Sequence, residues 1–540
     1  MPQISLVENV VGGWAVSDVR ISNLSDSINL YCETTGQGAS STSILRSIVG
    51  STSLLELGGR CRGLFQASRD MNGNPVLFAV FGHSLYVIRN VDGDGYQATE
   101  LTNDLTNTPD EVGMCETGGE GSANPHLIVV DGSNLWAVNT ELDDAGMLAD
   151  IRTIALPYRI RQENKNKPTV RIQPTHCAYC YNYLIVNDKD TDAFYITYQY
   201  PFERTETNNV NQVDYDIFMI NSTRPGEISY KDYGFITYAE WSPDNITALC
   251  SNNTLLYTFG PKSTQIFTYN SDVDAPFVSP TNCANSIGIK APHSLSFVGD
   301  YVFWLGSSNI GENGVYQWKG NQLSKISTPD VERKINSMYN PSDATGQCWT
   351  ENGHLFYALT FNDDDYTLVY DLTEGLWHRR SSRDAQTNQL HCWRLGFAQL
   401  HESKLMFGTN DGHLVYLDYN KYEEYDGRPM LRIRRSGMLM NNYQHFIVDR
   451  LKLVCNTGDF VNQELLQKDY SPQIMMRYSD SGGDWSNQEI GLLGEQGEYQ
   501  TDVEWFKLGV HKIMCIEFSL SDNVNFCILG GQIKYSLIDR

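Results

Sequence analysis

The chain has no run of about eighteen consecutive apolar residues, so no transmembrane helix is expected from it. Basic residues are scarce: 40 Lys and Arg stand against 65 Asp and Glu, a formal net charge of −25. Ordinary nucleic-acid binding needs a basic footprint, and this balance argues against it. It leaves room for a surface that DNA passes without adhering. Cysteine is thin on the ground, twelve in 540 residues, so the thiols read as reduced and partly buried rather than as a disulfide scaffold. The opening residues MPQISLVENVVGGW lack the basic stretch and long apolar core of a secretion signal. Synthesis in a cytoplasm is therefore expected, and the sequons at Asn245 and Asn252 read as chance. Walker A, G-x-S-x-G, H-E-x-x-H and dinucleotide-binding patterns are all absent. Long stretches of 3.6-residue periodicity are scarce, which argues against a helical fold.

What is present is aromatic and turn-rich. There are 31 Tyr, 21 Phe and 10 Trp, and 41% of the chain is apolar, enough for a sizeable core. Gly, Asn, Asp and Ser separate short apolar runs. One unit recurs: an apolar strand, a polar turn, then a second strand ending in aromatics or a Val/Ile pair. VLFAVFGHSLYVI (76–88), HLIVVDGSNLWAV (126–138) and KLMFGTNDGHLVYLD (404–418) are clear copies. Successive copies start about 50 residues apart, the period of propeller blades. The fold class is thus all-β: a six- or seven-bladed β-propeller with loop insertions, plus a C-terminal β-sandwich-like domain. Phe78, Tyr86, Trp136, Phe303, Trp304, Tyr316 and Trp377 are suited to packing between blades. A set of β-sandwiches built from the same hairpins is the alternative. The expected division is 1–60 as a segment joining the propeller and making subunit contacts, 61–425 as the propeller, and 430–540 as the C-terminal β domain. Polar, irregular insertions are expected near 157–176 and 199–230.

Four stretches carry candidate chemistry. RYSDSGGDWSN (477–487) contains Asp-x-Gly-x-x-Trp, the heart of the Asp box of sialidases and other propeller glycosidases. In that box the Asp accepts backbone N–H bonds, the Gly supplies positive φ and the Trp packs beneath. It is a folding device, so Asp480, Gly482 and Trp485 are read as turn-forming residues. Glycoside hydrolysis needs two placed carboxylates, and nothing in the sequence marks a pair. His176-Cys177-Ala-Tyr-Cys180 is half of a zinc pattern without its second half, His391-Cys392 being only a loose partner, and reads as core thiols. The densest basic cluster is RPMLRIRRSG, in which Arg432, Arg434 and Arg435 are candidates for contact with a partner, or for pairing with nearby Glu423 and Glu424. Asp92 and Asp94, like Asp363 to Asp365, suit solvated hairpin tips better than calcium loops. No catalytic, cofactor-binding or metal-binding residue is assigned.

Taken together, several segments resemble the tail hub or tail nozzle proteins of short-tailed bacteriophages, the packaged-DNA-stabilising tail family. They are SINLYCE (27–33), RCRGLFQAS (60–68), YTFGPKSTQIF (257–267), DAPF (274–277), SLSFVGDYVFWLGSSNIGENGVYQW (294–318), LVYDLTEGLWHRRSS (368–382), RYSDSGGDWSN and GEYQTDVEWFKLG (497–509). The resemblance implies a structural virion protein and no enzyme. It implies a homo-oligomer, a hexamer, below the portal and its head-to-tail adaptor, carrying tail fibres or spikes. Double-stranded DNA would pass through the lumen without sequence-specific binding, and no cofactor or membrane insertion would be involved. Assembly would take place in the host bacterial cytoplasm. A virion-associated glycosidase or receptor-binding propeller is the second reading, and a cytoplasmic scaffold propeller the third.

Overall fold

The computed structural model describes residues 3–538 apart from 7–9, 17–23, 36–42, 69–74, 92–94, 109, 119–124, 141–150, 155, 157–170, 200–235, 239–243, 253, 272–275, 281–282, 309–310, 321, 385 and 460–469. The expected insertions at 157–176 and 199–230 lie outside the described residues, save 171–176 and Gln199, and so do Asp92 and Asp94.

Seven antiparallel sheets follow one another along the chain, and their first strands meet around a common centre. The blades begin at strands Cys61–Ala67, Gly113–Thr117, Cys177–Cys180, Ala248–Asn252, Ile287–Ile289, Thr345–Glu351 and Leu395–His401. The propeller is therefore seven-bladed. The second strand of a blade is covered on both faces by its neighbours. That is why VLFAVF in strand Val76–Phe81 is apolar at every position and fully buried rather than alternating. Phe78, Val80, Leu85 and Val87 of the first blade pack on Leu127, Val129, Trp136 and Val138 of the second. Phe303 and Leu305 meet Tyr357, Leu359 and Trp377 in the same way. Trp304, at 0% exposure, lies with Tyr316, Trp318 and Phe259 between blades four and five. Truncating such a residue to Ala costs about 3–5 kcal/mol in transfer and cavity terms.

The seventh blade has only three strands of its own. Its fourth, Gly50–Glu56, comes from the N-terminal segment and pairs antiparallel with His413–Asp418. This closes the ring by joining the two ends of the propeller sequence. Gly50 is needed there because a Cβ would sit 2.3 Å from the Glu423 carbonyl oxygen.

The C-terminal unit is a sandwich of two sheets around Leu30, Leu45, Val448, Leu451, Met476, Trp505, Ile516 and Phe518. One sheet runs in the order Leu30–Thr34, Ser43–Ser47, Cys527–Leu537, Phe446–Cys455, Val503–His511. The other contains Leu24–Ile28, Arg432–Arg435, Ile513–Leu520, Gln473–Ser479 and Glu489–Leu492. This second sheet continues into the propeller, because Leu24–Ile28 also lies parallel to Leu376–Arg379, the outer strand of blade six. Residues 1–60 are thus divided between the two units: strands 24–28, 30–34 and 43–47 belong to the sandwich and 50–56 to the propeller.

Candidate functional site

The shared sheet carries an alternating row of charges at the seam between propeller and sandwich. Strand pairing places Asp26 opposite Arg435, Arg435 opposite Glu517, and Glu517 opposite Arg477. Glu517 accepts from Arg435 Nε at 2.6 Å through one oxygen and from Arg477 Nε at 2.5 Å through the other. Asp26 lies 3.4 Å from Arg435 and 3.5 Å from Arg379 of blade six. The row Arg379–Asp26–Arg435–Glu517–Arg477 thus crosses five strands. Both carboxylates are buried and each lies between two guanidiniums, which offsets their desolvation. Burial works against the Arg435 charge, but Asp26 and Glu517 outweigh it and raise its pKa. Aromatic rings cover both ends: Tyr366 lies under Arg379 at 4.1 Å, and Trp485 under Arg477 at 4.9 Å and Arg435 at 5.6 Å.

Arg432 and Arg434 point to the opposite face of their strand, into the sandwich. Both are fully buried. Arg432 donates to the Val524 carbonyl at 2.5 Å and to that of Asp522; Arg434 donates to the Val10 carbonyl at 2.7 Å and the Gly13 carbonyl at 3.3 Å. Burial lowers each to about 10. The expectation of a partner contact is corrected for these two: their donors bind this chain's own loops, and neither reaches a surface. Arg435 keeps a partly exposed edge. Glu424 pairs instead with Arg394 of blade seven at 3.4 Å, which fastens the 419–431 hairpin to the propeller.

The turn after Arg477 differs from the Asp-box expectation in one role. Gly482 has φ +73°, as the turn requires. The acceptors of the turn's N–H groups are serine hydroxyls: Ser479 Oγ, at 3.2 Å from Ser481 N and 2.9 Å from Gly482 N, and Ser481 Oγ, at 3.2 Å from Gly483 N and from Asp484 N. Asp480 points away and meets His511 Nδ1 at 2.6 Å. Trp485 packs on the Met438–Cys515 cluster while covering the arginines. The turn motif and the basic cluster, separate in sequence, therefore form one site.

A second constellation crosses the propeller centre. Glu111, leading into the second blade, binds Arg60 of the first at 2.7 Å and lies 3.4 Å from His293 Nδ1 of the fifth. His293 stacks on His176 of the third, with ring centroids 5.6 Å apart. Burial, then His293, lowers His176 to about 3. Cys180 is raised to about 11 by burial, so it is a protonated core thiol. His391 meets Asp365 at 2.5 Å, and Asp364 accepts from the backbone of Tyr339 and Asn340. Among the described residues no group of three or more His, Cys, Asp or Glu is placed to hold a metal ion.

Asp26, Arg379, Glu517, Tyr366, Glu111 and His293 were not singled out from the sequence. A single Glu within the apolar strand IMCIEFSL was the available signal, since a carboxylate in such a run needs a partner.

Residues 221–422 match the family described as bacteriophage P22 Gp10, beta-propeller, and residues 431–536 that described as bacteriophage P22 Gp10, beta-sandwich. Together the matches span more than half of the chain. The chain belongs to the P22 Gp10 family. It is a structural protein of the virion tail, of the hub or nozzle type that stabilises packaged DNA in short-tailed phages. The first two blades and the first three strands of the third lie ahead of the matched segment and keep the same four-stranded plan. No curated protein matches the chain. Among solved structures, the N-terminal domain of Nup159 is similar at 10% identity and TM-score 0.38, covering 73% of this chain and 98% of its own. The extracellular domain of a putative hybrid two-component system from B. thetaiotaomicron is similar at 12% identity and TM-score 0.37, covering 81% of this chain and 44% of its own.

Proposed function

We propose that copies of this chain form a ring, a hexamer, below the portal and its head-to-tail adaptor, that the ring lines part of the DNA ejection channel, and that it carries fibres or spikes. The observation that carries the reading is the joint match of propeller and sandwich to P22 Gp10. Charge supports it. The densest basic run is consumed internally, two arginines in the sandwich and one in the seam. The net charge of −25 already counts these arginines, which are turned inward, and an acidic lumen repels phosphates and lets the duplex slide. The propeller centre supports a lumen between copies, because Glu111, Arg60, His176 and His293 cross it. The role is mechanical rather than enzymatic, and assembly takes place in the host cytoplasm. Neutralising the carboxylates that face the lumen of the assembled ring should slow or stall DNA ejection. An unchanged ejection rate contradicts the charge argument.

A further inference from the structure

A cleft of about 350 Å³ opens between sandwich and propeller. Glu33 and Arg46 of adjacent sandwich strands, Asn352 at a hairpin tip of blade six, Tyr419 and Tyr422 of the 419–431 hairpin, and Asn525 line it. We propose that this cleft binds a neutral saccharide of one or two rings. The inference goes beyond the ring reading and does not depend on it.

The lining selects against charged ligands. Arg46 and Glu33 form a two-point pair, Nε to Oε2 at 2.5 Å and Nη2 to Oε1 at 3.2 Å. The carboxylate opposes an anion and the guanidinium opposes a cation. The two amides are neutral and both donate and accept. A hydroxyl also does both, so adjacent hydroxyls match adjacent donors and acceptors. Tyr419, 47% exposed, offers a ring face for the apolar side of a sugar. The volume lies at the lower end of the range of roughly 300–1,000 Å³ typical of small-molecule clefts, which often lie between domains, and suits one or two sugar rings.

The backbone around the cleft argues against an added peptide strand. Ser47 N bonds the Phe526 carbonyl, Ile48 N that of Asn29, Gly50 N that of Lys421 and Ser51 N that of Glu423. Tyr422 N bonds Asn523 Oδ1 at 2.7 Å. These groups are already spent, so strand addition has little to join here. Binding rather than cleavage is proposed: Glu33 is the one carboxylate among the described residues that line the cleft, and hydrolysis takes two.

Saturation-transfer NMR on the full chain with lactose, maltose and chitobiose tests this. Transfer to sugar ring protons is expected from at least one of the three. Tyr419→Phe should keep it, and Tyr419→Ala should weaken binding by about tenfold, the loss of one ring contact. Both variants change an exposed side chain, and matched melting curves check their folding. Absence of transfer from all three sugars, or transfer unaffected by Tyr419→Ala, overturns the proposal. A cleft filled by another tail protein in the virion, with no sugar signal, also overturns it.

Discussion

Glu517 is the residue on which the seam turns. It is buried, and it joins Arg435 of the sandwich's inner strand to Arg477 beside the turn. Glu517→Gln keeps the shape but leaves two guanidiniums facing each other. Loss of about 2–4 kcal/mol is expected, because breaking a buried pair strands the remaining charges. The check is the denaturant midpoint, with Arg333→Ala as control. That residue's pair with Asp330 is far more exposed, and its loss should cost less than about 1 kcal/mol. His176 supplies a pH prediction. Its folded pKa, about 3, lies below the unfolded value of roughly 6.5, so the unfolded chain takes up the proton first. Its contribution is whole above about pH 6.5 and declines as pH falls toward 3. His354 has the opposite sign. Its hydrogen bond to Asp371 raises its pKa, so its contribution is whole in acid and is lost as pH rises through the raised value. Melting temperatures across this window should fall less steeply in His176→Gln than in the parent. Equal slopes would contradict the assignment.

At the scale of the element, the turn at 479–484 rests on Ser479, Ser481 and Gly482. Ser479→Ala removes the acceptor of two N–H groups and should cost about 1 kcal/mol. Gly482→Ala places a Cβ at φ +73° and should cost a similar 1–2 kcal/mol. Both follow from urea midpoints, and two neutral substitutions would contradict the account. Much of the element plan was legible in the sequence. Strands covered on both faces are apolar throughout, as in VLFAVF, or at all but the first position, as in HLIVV, and the turns between them are polar. The blade count was not legible, because the closing strand Gly50–Glu56 lies far from the blade it completes. The seam was not legible for the same reason. The register that sets Asp26 against Arg435 and Glu517 exists only once distant strands pair. The Arg cluster was visible, but two of its members face inward and one outward by the alternation of a strand.

At the scale of the whole molecule, propeller and sandwich share a sheet, and residues 1–60 are woven into both. The joint is stiff, since neither unit can swing without breaking strand pairing. In the proposed ring, the acidic charge and the bridged propeller centre would have the duplex travel between copies. Cryo-electron microscopy of the tail in DNA-filled virions tests this most directly. The account predicts a ring of copies of this chain with DNA density in the space they enclose, and side-chain density across each propeller centre. DNA density threading a propeller centre, or single copies fixed outside the channel wall, would contradict it.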